Sequence, residues 1–162
     1  MSARTKKRHR QKCARSKGET IGRLINAVTS SRNGLEAGLL KELREICMVL
    51  PEARETVKWG HPTFEAGKKI FAVLDHYHGH PCIAFRASRK SGMNLLRDER
   101  FFPAPYAAAH GWVCLRADGK LNWPEVRDLL VASYRTVALK RMLSALDGRT
   151  TTTARGPGHL RR

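Results

Sequence analysis

Seven histidines and four cysteines hold most of the reactive chemistry in this 162-residue chain, and their spacing narrows what that chemistry is. In Asp75-His76-Tyr77-His78-Gly79-His80-Pro81-Cys82, His76 and His78 project to one side of an extended strand, and His80 or Cys82 can return across a turn. This is the one candidate metal cluster. Structural zinc takes four well-spaced ligands and the rest of the set is missing, so a polar hairpin tip is the competing reading, and no metal or cofactor is assigned. His61 and His110 each stand beside a glycine and are conceivable general bases. Neither has a nucleophile or carboxylate partner visible in the sequence, so hydrogen bonding to turn backbone is the expected role.

The remaining motifs of catalysis are absent. No G-x-S-x-G, P-loop or dinucleotide fingerprint occurs, so nothing positive supports an enzyme and no catalytic residue is assigned. Cys13, Cys47, Cys82 and Cys114 form no C-x-x-C pair, which argues against a zinc ribbon or a disulfide framework and for reduced thiols in the cytoplasm. Cys47 reads as core, and Cys114 shows no sign of activation.

Charge is the strongest global signal. Thirty-one Lys and Arg face fourteen Asp and Glu, a net charge of +17 that suits DNA or another polyanion. Residues 1–20 alone carry eight basic side chains against one acid, with Lys6, Lys7, Arg8 and Arg10 at their centre. So dense a run cannot bury enough apolar surface to order itself, so residues 1–33 are expected to form a disordered basic head that contacts phosphates. Nuclear localisation is the rival role in a eukaryote, and nucleoid association is the corresponding expectation in a bacterium. The Ile21, Leu24, Ile25, Val28 stripe also leaves an organelle transit peptide open. No apolar run is long enough for a membrane span.

The elements that position these groups follow from periodicity. Asn33 with Glu36 fits a capping box for a helix whose apolar stripe runs Leu35, Leu39, Leu43, Ile46, Cys47, Leu50 to Pro51. Short extended runs then cover Thr56 to Trp59, Thr63 to Ala66, Lys69 to Tyr77 and Pro81 to Ala87, with hairpin turns at Gly67-Lys68 and Gly79. Ser88 caps a short helix. Phe101 to Tyr106, broken by Pro103 and Pro105, is expected to cross the domain as an irregular connection toward a strand from Trp112 to Ala117. Asn122, Pro124 and Glu125 open one long helix that Gly148 stops, leaving residues 149–162 as a loose basic tail and 34–148 as the domain.

Alternation along these strands assigns faces. If Ile83, Phe85, Val113, Leu115 and Val57 point to the helices, then Lys58, Arg86, Trp112 and Arg116 point away. With Arg89 and Lys90 they form the expected nucleic-acid surface, an ordinary solvated surface being the alternative. Phe71 and Tyr134 read as core. Trp59, His61, Tyr106 and Trp112 are candidates for a pocket or an exposed patch.

The words Val57-Lys58-Trp59-Gly60-His61-Pro62-Thr63-Phe64, Lys69-Ile70-Phe71-Ala72, Pro103-Ala104-Pro105-Tyr106, His110-Gly111-Trp112-Val113 and Ser133-Tyr134 together resemble the MmcQ/YjbR family, also known as a domain of unknown function. The resemblance covers about residues 38–140. It implies an α+β fold of the α-β(3)-α-β(2)-α type: a two-layer domain, an antiparallel sheet with helices on one face. It further implies a double-wing DNA-binding look and a shape akin to secretion chaperones and CyaY (frataxin-like) proteins. Arg86 stands where the family usually shows Lys. Two functions are expected: a small non-enzymatic DNA-binding protein, or an adaptor that takes a protein or small ligand in an aromatic pocket while the basic tails serve solubility or localisation.

Overall fold

A computed structural model of the chain describes residues 33–153. Contacts divide the chain into two units, Met1–Leu39 and Leu40–Arg162. Of the first, residues 33–39 are described and are helical; that helix, α1, spans residues 33–47. Asn33, the first described residue, is itself helical rather than the cap that its spacing to Glu36 predicts.

The second unit is built on one antiparallel sheet. In chain order come β1 (Ala53–Lys58), β2 (His61–Ala66), β3 (Lys69–Tyr77), β4 (His80–Arg86), α2 (Arg89–Leu95), β5 (Phe101–Pro103), a 3-10 turn (Ala108–His110), β6 (Trp112–Arg116), α3 (Trp123–Val137) and α4 (Lys140–Thr153). The sheet order is β1-β2-β3-β4-β6-β5, so four strands precede the short helix and two follow it. Two-residue turns close the first hairpins. Lys58 pairs with His61 across Trp59 and Gly60, both at positive φ, and Tyr77 pairs with His80 across His78 and Gly79 in the same conformation. Such turns match the right-handed twist of the strands they join.

One sheet face carries the main core. The register places Phe64, Ala72 and Phe85 on the same side, with Ile83, Leu115 and Val113, and all are buried. The α3 helix crosses β3 and β4, and Tyr134 meets Phe71 edge to face at 5.5 Å. Phe71 reaches this side because the β2–β3 register slips at Phe64/Glu65, leaving Phe71 as the extra residue of a bulge. Full burial of rings such as Phe64 and Phe71 stabilises by about 1.5–3 kcal/mol each. Tyr134 donates its hydroxyl to the Pro51 carbonyl at 2.7 Å, so its one polar atom is satisfied inside the core.

Three expectations are corrected here. Phe101–Pro103 is not irregular but the edge strand β5, paired with Val113–Leu115; an edge position tolerates the N–H that Pro103 lacks. The predicted single helix after Asn122 is two. Ala138 turns extended, with φ −62° and ψ 146°, and the break lets Met142 bury itself against Gly67. The second of these helices runs through Gly148 to Thr153, because one glycine costs a helix only about 1 kcal/mol. Val57, expected to point into the core, is 72% exposed: β1 is the sheet edge and the helix layer does not cover its end.

Candidate functional site: an aromatic cleft on the open sheet face

The opposite sheet face is where alternation places Lys58, Arg86, Trp112 and Arg116, and the register puts them there: Lys58 opposite His61, Arg86 opposite Trp112, Arg116 opposite Cys82. The face is not uniformly basic. Its centre is a second apolar cluster of Val73, Cys82, Ala84 and Cys114, partly roofed by Ala104 and bordered by Ile70, Tyr77, Phe102 and Trp112.

Its cations are individually occupied. Lys58 is ion-paired with Glu65, a carboxylate 5% exposed, which also lies 3.7 Å from Arg54. Arg86 donates to the His110 carbonyl at 3.3 Å. The Arg116 guanidinium stacks 5.1 Å above the Phe102 ring and donates to the Glu99 carbonyl. Arg89 and Lys90 are exposed in the first turn of α2, whose Gly92 abuts Val113 on the helix side, so they do not share the face with Lys58. Lys6, Lys7, Arg8 and Arg10 lie outside the described residues.

Beside the apolar cluster opens a cavity of about 780 Å³. Trp59, His61, Tyr106 and Trp112, three separate stretches of sequence, all line it, together with Asp75 and Tyr77. Each is held by a distinct device. Trp59 sits at the tip of the β1–β2 hairpin at φ 53° and is 81% exposed. Tyr106 follows Pro105 at φ 61° and is fully exposed. Bulky residues rarely adopt positive φ, so two strained backbones hold two rings out at this cleft. Trp112 is fixed by Gly111, whose φ is 79° and whose position admits no Cβ, since one would approach the Ala87 carbonyl oxygen to 2.8 Å.

His61 does have a carboxylate partner, which the sequence conceals: its Nε2 lies 3.4 Å from Asp75 Oδ1 across β2 and β3. The same oxygen accepts the His76 backbone N–H at 2.7 Å, and the His61 and His76 rings are 5.8 Å apart. No serine, threonine or cysteine is among the cleft residues. Beneath it, the Cys82 thiol is pushed far above its ordinary value, first by its hydrogen bond with Cys114 and then by burial, so it stays protonated and unreactive. Burial does the same to Cys47. Among the described residues no group of three or more His, Cys, Asp or Glu side chains is placed to hold a metal, and the 75–82 run is a strand, a hairpin turn and the start of the next strand.

The YjbR family model matches residues 48–136, more than half of the chain. The chain belongs to the YjbR family. The crystal structure of Deinococcus radiodurans protein DR2400, which contains a DUF419 domain, is similar to it with a TM-score of 0.52 and 21% identity, over 59% of this chain and 75% of that one. At that identity the likeness speaks for the fold alone. No curated protein matches the chain. Every residue lining the cleft falls within the YjbR match, as does Ser133-Tyr134 on α3. No helix among the described residues of this YjbR protein is long and apolar enough to cross a membrane.

Proposed function

We propose that this YjbR protein is a non-enzymatic binding protein whose working surface is the aromatic cleft, and that the cleft takes a small organic ligand. What carries the reading is the convergence of Trp59, His61, Tyr106 and Trp112 on one cavity of about 780 Å³. Ligand sites are concave, mostly apolar, of some 300–1,000 Å³, with few polar groups to fix orientation, and this cleft has that character. Exposed aromatic rings at strained backbone positions favour a binding role over a packing role. No serine, threonine or cysteine lines the cleft beside His61 and Asp75, which speaks against covalent catalysis through a hydroxyl or thiol there.

The test is ligand-observed saturation-transfer NMR of the full chain against a panel of neutral, anionic and cationic small molecules, repeated with Tyr106→Ala. Tyr106 is fully exposed, so its removal leaves the fold intact. Compounds that bind the wild type and lose signal with the variant support the cleft. A panel with no binder, or binders indifferent to Tyr106, overturns it.

A second reading, DNA binding, is favoured by the +17 charge and by Arg89 and Lys90, exposed and without an ion pair among the described residues. It places the contact in the basic head and α2 rather than on the sheet face. Fluorescence anisotropy with duplex DNA at several salt concentrations separates the two. Steep salt dependence that survives Lys58→Gln assigns DNA binding to charges elsewhere, and no binding at low salt removes it.

A further inference from the structure

We infer that the cleft selects a small cationic ligand bearing a quaternary ammonium group. This rests on the cleft being a ligand site, and it adds the chemistry of what enters. No lysine or arginine is among the residues that line the cavity, although the chain as a whole carries +17. The one acid that lines it is Asp75, whose side chain is 40% exposed and is oriented by the His76 N–H.

The same cavity is lined by Trp59, Trp112, Tyr106 and Tyr77, with Trp112 two strands over and four residues along the sheet from Asp75. The face of an aromatic ring carries negative electrostatic potential, strongest for tryptophan, and attracts a cation placed over it. An ammonium whose hydrogens are replaced by methyl groups gains most, because it is weakly hydrated and needs no hydrogen-bond acceptor inside the cleft. Rings plus one carboxylate therefore favour that group, whereas an anion would meet only the imidazoles of His61 and His76.

The cations nearest on the same face are held elsewhere. Lys58 is paired with Glu65, and Arg86, the cross-strand neighbour of Trp112, donates to the His110 carbonyl. Charges beyond the Debye length of about 8 Å at physiological salt contribute little to the field in the cleft. Of the nearby charges Lys58 is neutralised by Glu65, while Arg86 keeps its charge beside Trp112, four residues along β4 from the cross-strand partner of Asp75.

Choline and 3,3-dimethylbutan-1-ol make the discriminating pair, having the same shape and differing by one positive charge. Each is titrated into the 15N-labelled full chain at pH 8, following the indole N–H signals of Trp59 and Trp112, with Trp123 at the start of α3 as the internal control. Choline is expected to shift Trp59 and Trp112 with at least tenfold higher affinity than the alcohol, and Asp75→Asn to shrink that ratio to threefold or less. Tyr106→Ala, which cannot disturb the core, should weaken choline at least threefold. Equal affinity, preference for the alcohol, a ratio unchanged in Asp75→Asn, or no shift with either compound overturns the inference. Neutral or anionic panel compounds still binding through Tyr106 would then leave the cleft standing with a different ligand class. Binding of trimethyl-lysine peptides but not of choline would assign the cleft to a protein partner and contradict a small-molecule ligand.

Discussion

Lys58 reaches along the first hairpin to Glu65, four residues past its cross-strand partner His61, and the ion pair changes what the open sheet face is. Glu65 is buried against the sheet and Lys58 closes over it, so the lysine that alternation assigns to a phosphate-binding surface instead neutralises an internal carboxylate. Breaking such a pair from one side leaves the other charge poorly solvated. Lys58→Ala is expected to lower stability by about 2 kcal/mol in urea unfolding, with Lys58→Ala/Glu65→Gln recovering part of the loss. A single variant as stable as wild type would contradict the pairing.

Ser133 makes a second prediction. Its hydroxyl accepts the Arg86 N–H at 2.8 Å and donates to the Phe71 carbonyl at 2.5 Å, standing in for a ladder bond between β3 and β4 one position beyond their last pair, Ala72 with Phe85. Ser133→Ala strands two buried backbone groups and should cost about 2–4 kcal/mol. Amide hydrogen exchange at Arg86 should accelerate more than the global loss explains. Equal acceleration at every core amide would show that Ser133 has no local role.

Trp59 should trade stability for binding. At φ 53° and preceding Gly60 it occupies a turn position that asparagine adopts readily, and it is too exposed to lose much packing. Trp59→Asn is expected to stabilise by about 1 kcal/mol while weakening every cleft ligand. A variant that melts lower than wild type would mean that the ring is packed rather than presented.

Acid should loosen the domain through identifiable pairs. Glu55 is held below the ordinary carboxylate range by its bidentate bond to Arg44, Glu52 by Arg141, and Asp98 by Arg100. A folded-state pKa below the unfolded one contributes stability that is complete above the unfolded value and is lost as pH falls through the folded value. Thermal midpoints should therefore hold from pH 7 to about 5 and fall below about 4. Arg44→Gln should flatten the fall, and parallel curves for the two proteins would contradict it. These pairs are exposed, so added salt should narrow the difference.

Much of this was legible in the residues. Period-two patterning from Thr56 to Ala87, with glycine at the turns, yields the hairpin series and the side on which Lys58, Arg86 and Arg116 lie. The family words added the layer arrangement. What escaped depended on partners distant in the chain or on local breaks that periodicity does not register. The apolar spacing continues from Val137 through Leu139 to Met142, so the kink at Ala138 leaves no trace in it. Two prolines hide the edge strand at Phe101. Asp75 reads as part of a histidine run until β2 is paired with β3, when it comes beside His61; aligning those strands on Thr63 and Val73 would have revealed it.

The cleft itself is tested most directly by the indole N–H signals of the full chain during titration with the small-molecule panel. At least one compound is expected to move Trp59 and Trp112 together in a saturable way and to leave Trp123 in place. Shifts confined to Trp123, or no saturable shift at Trp59 and Trp112 with any compound, would contradict it.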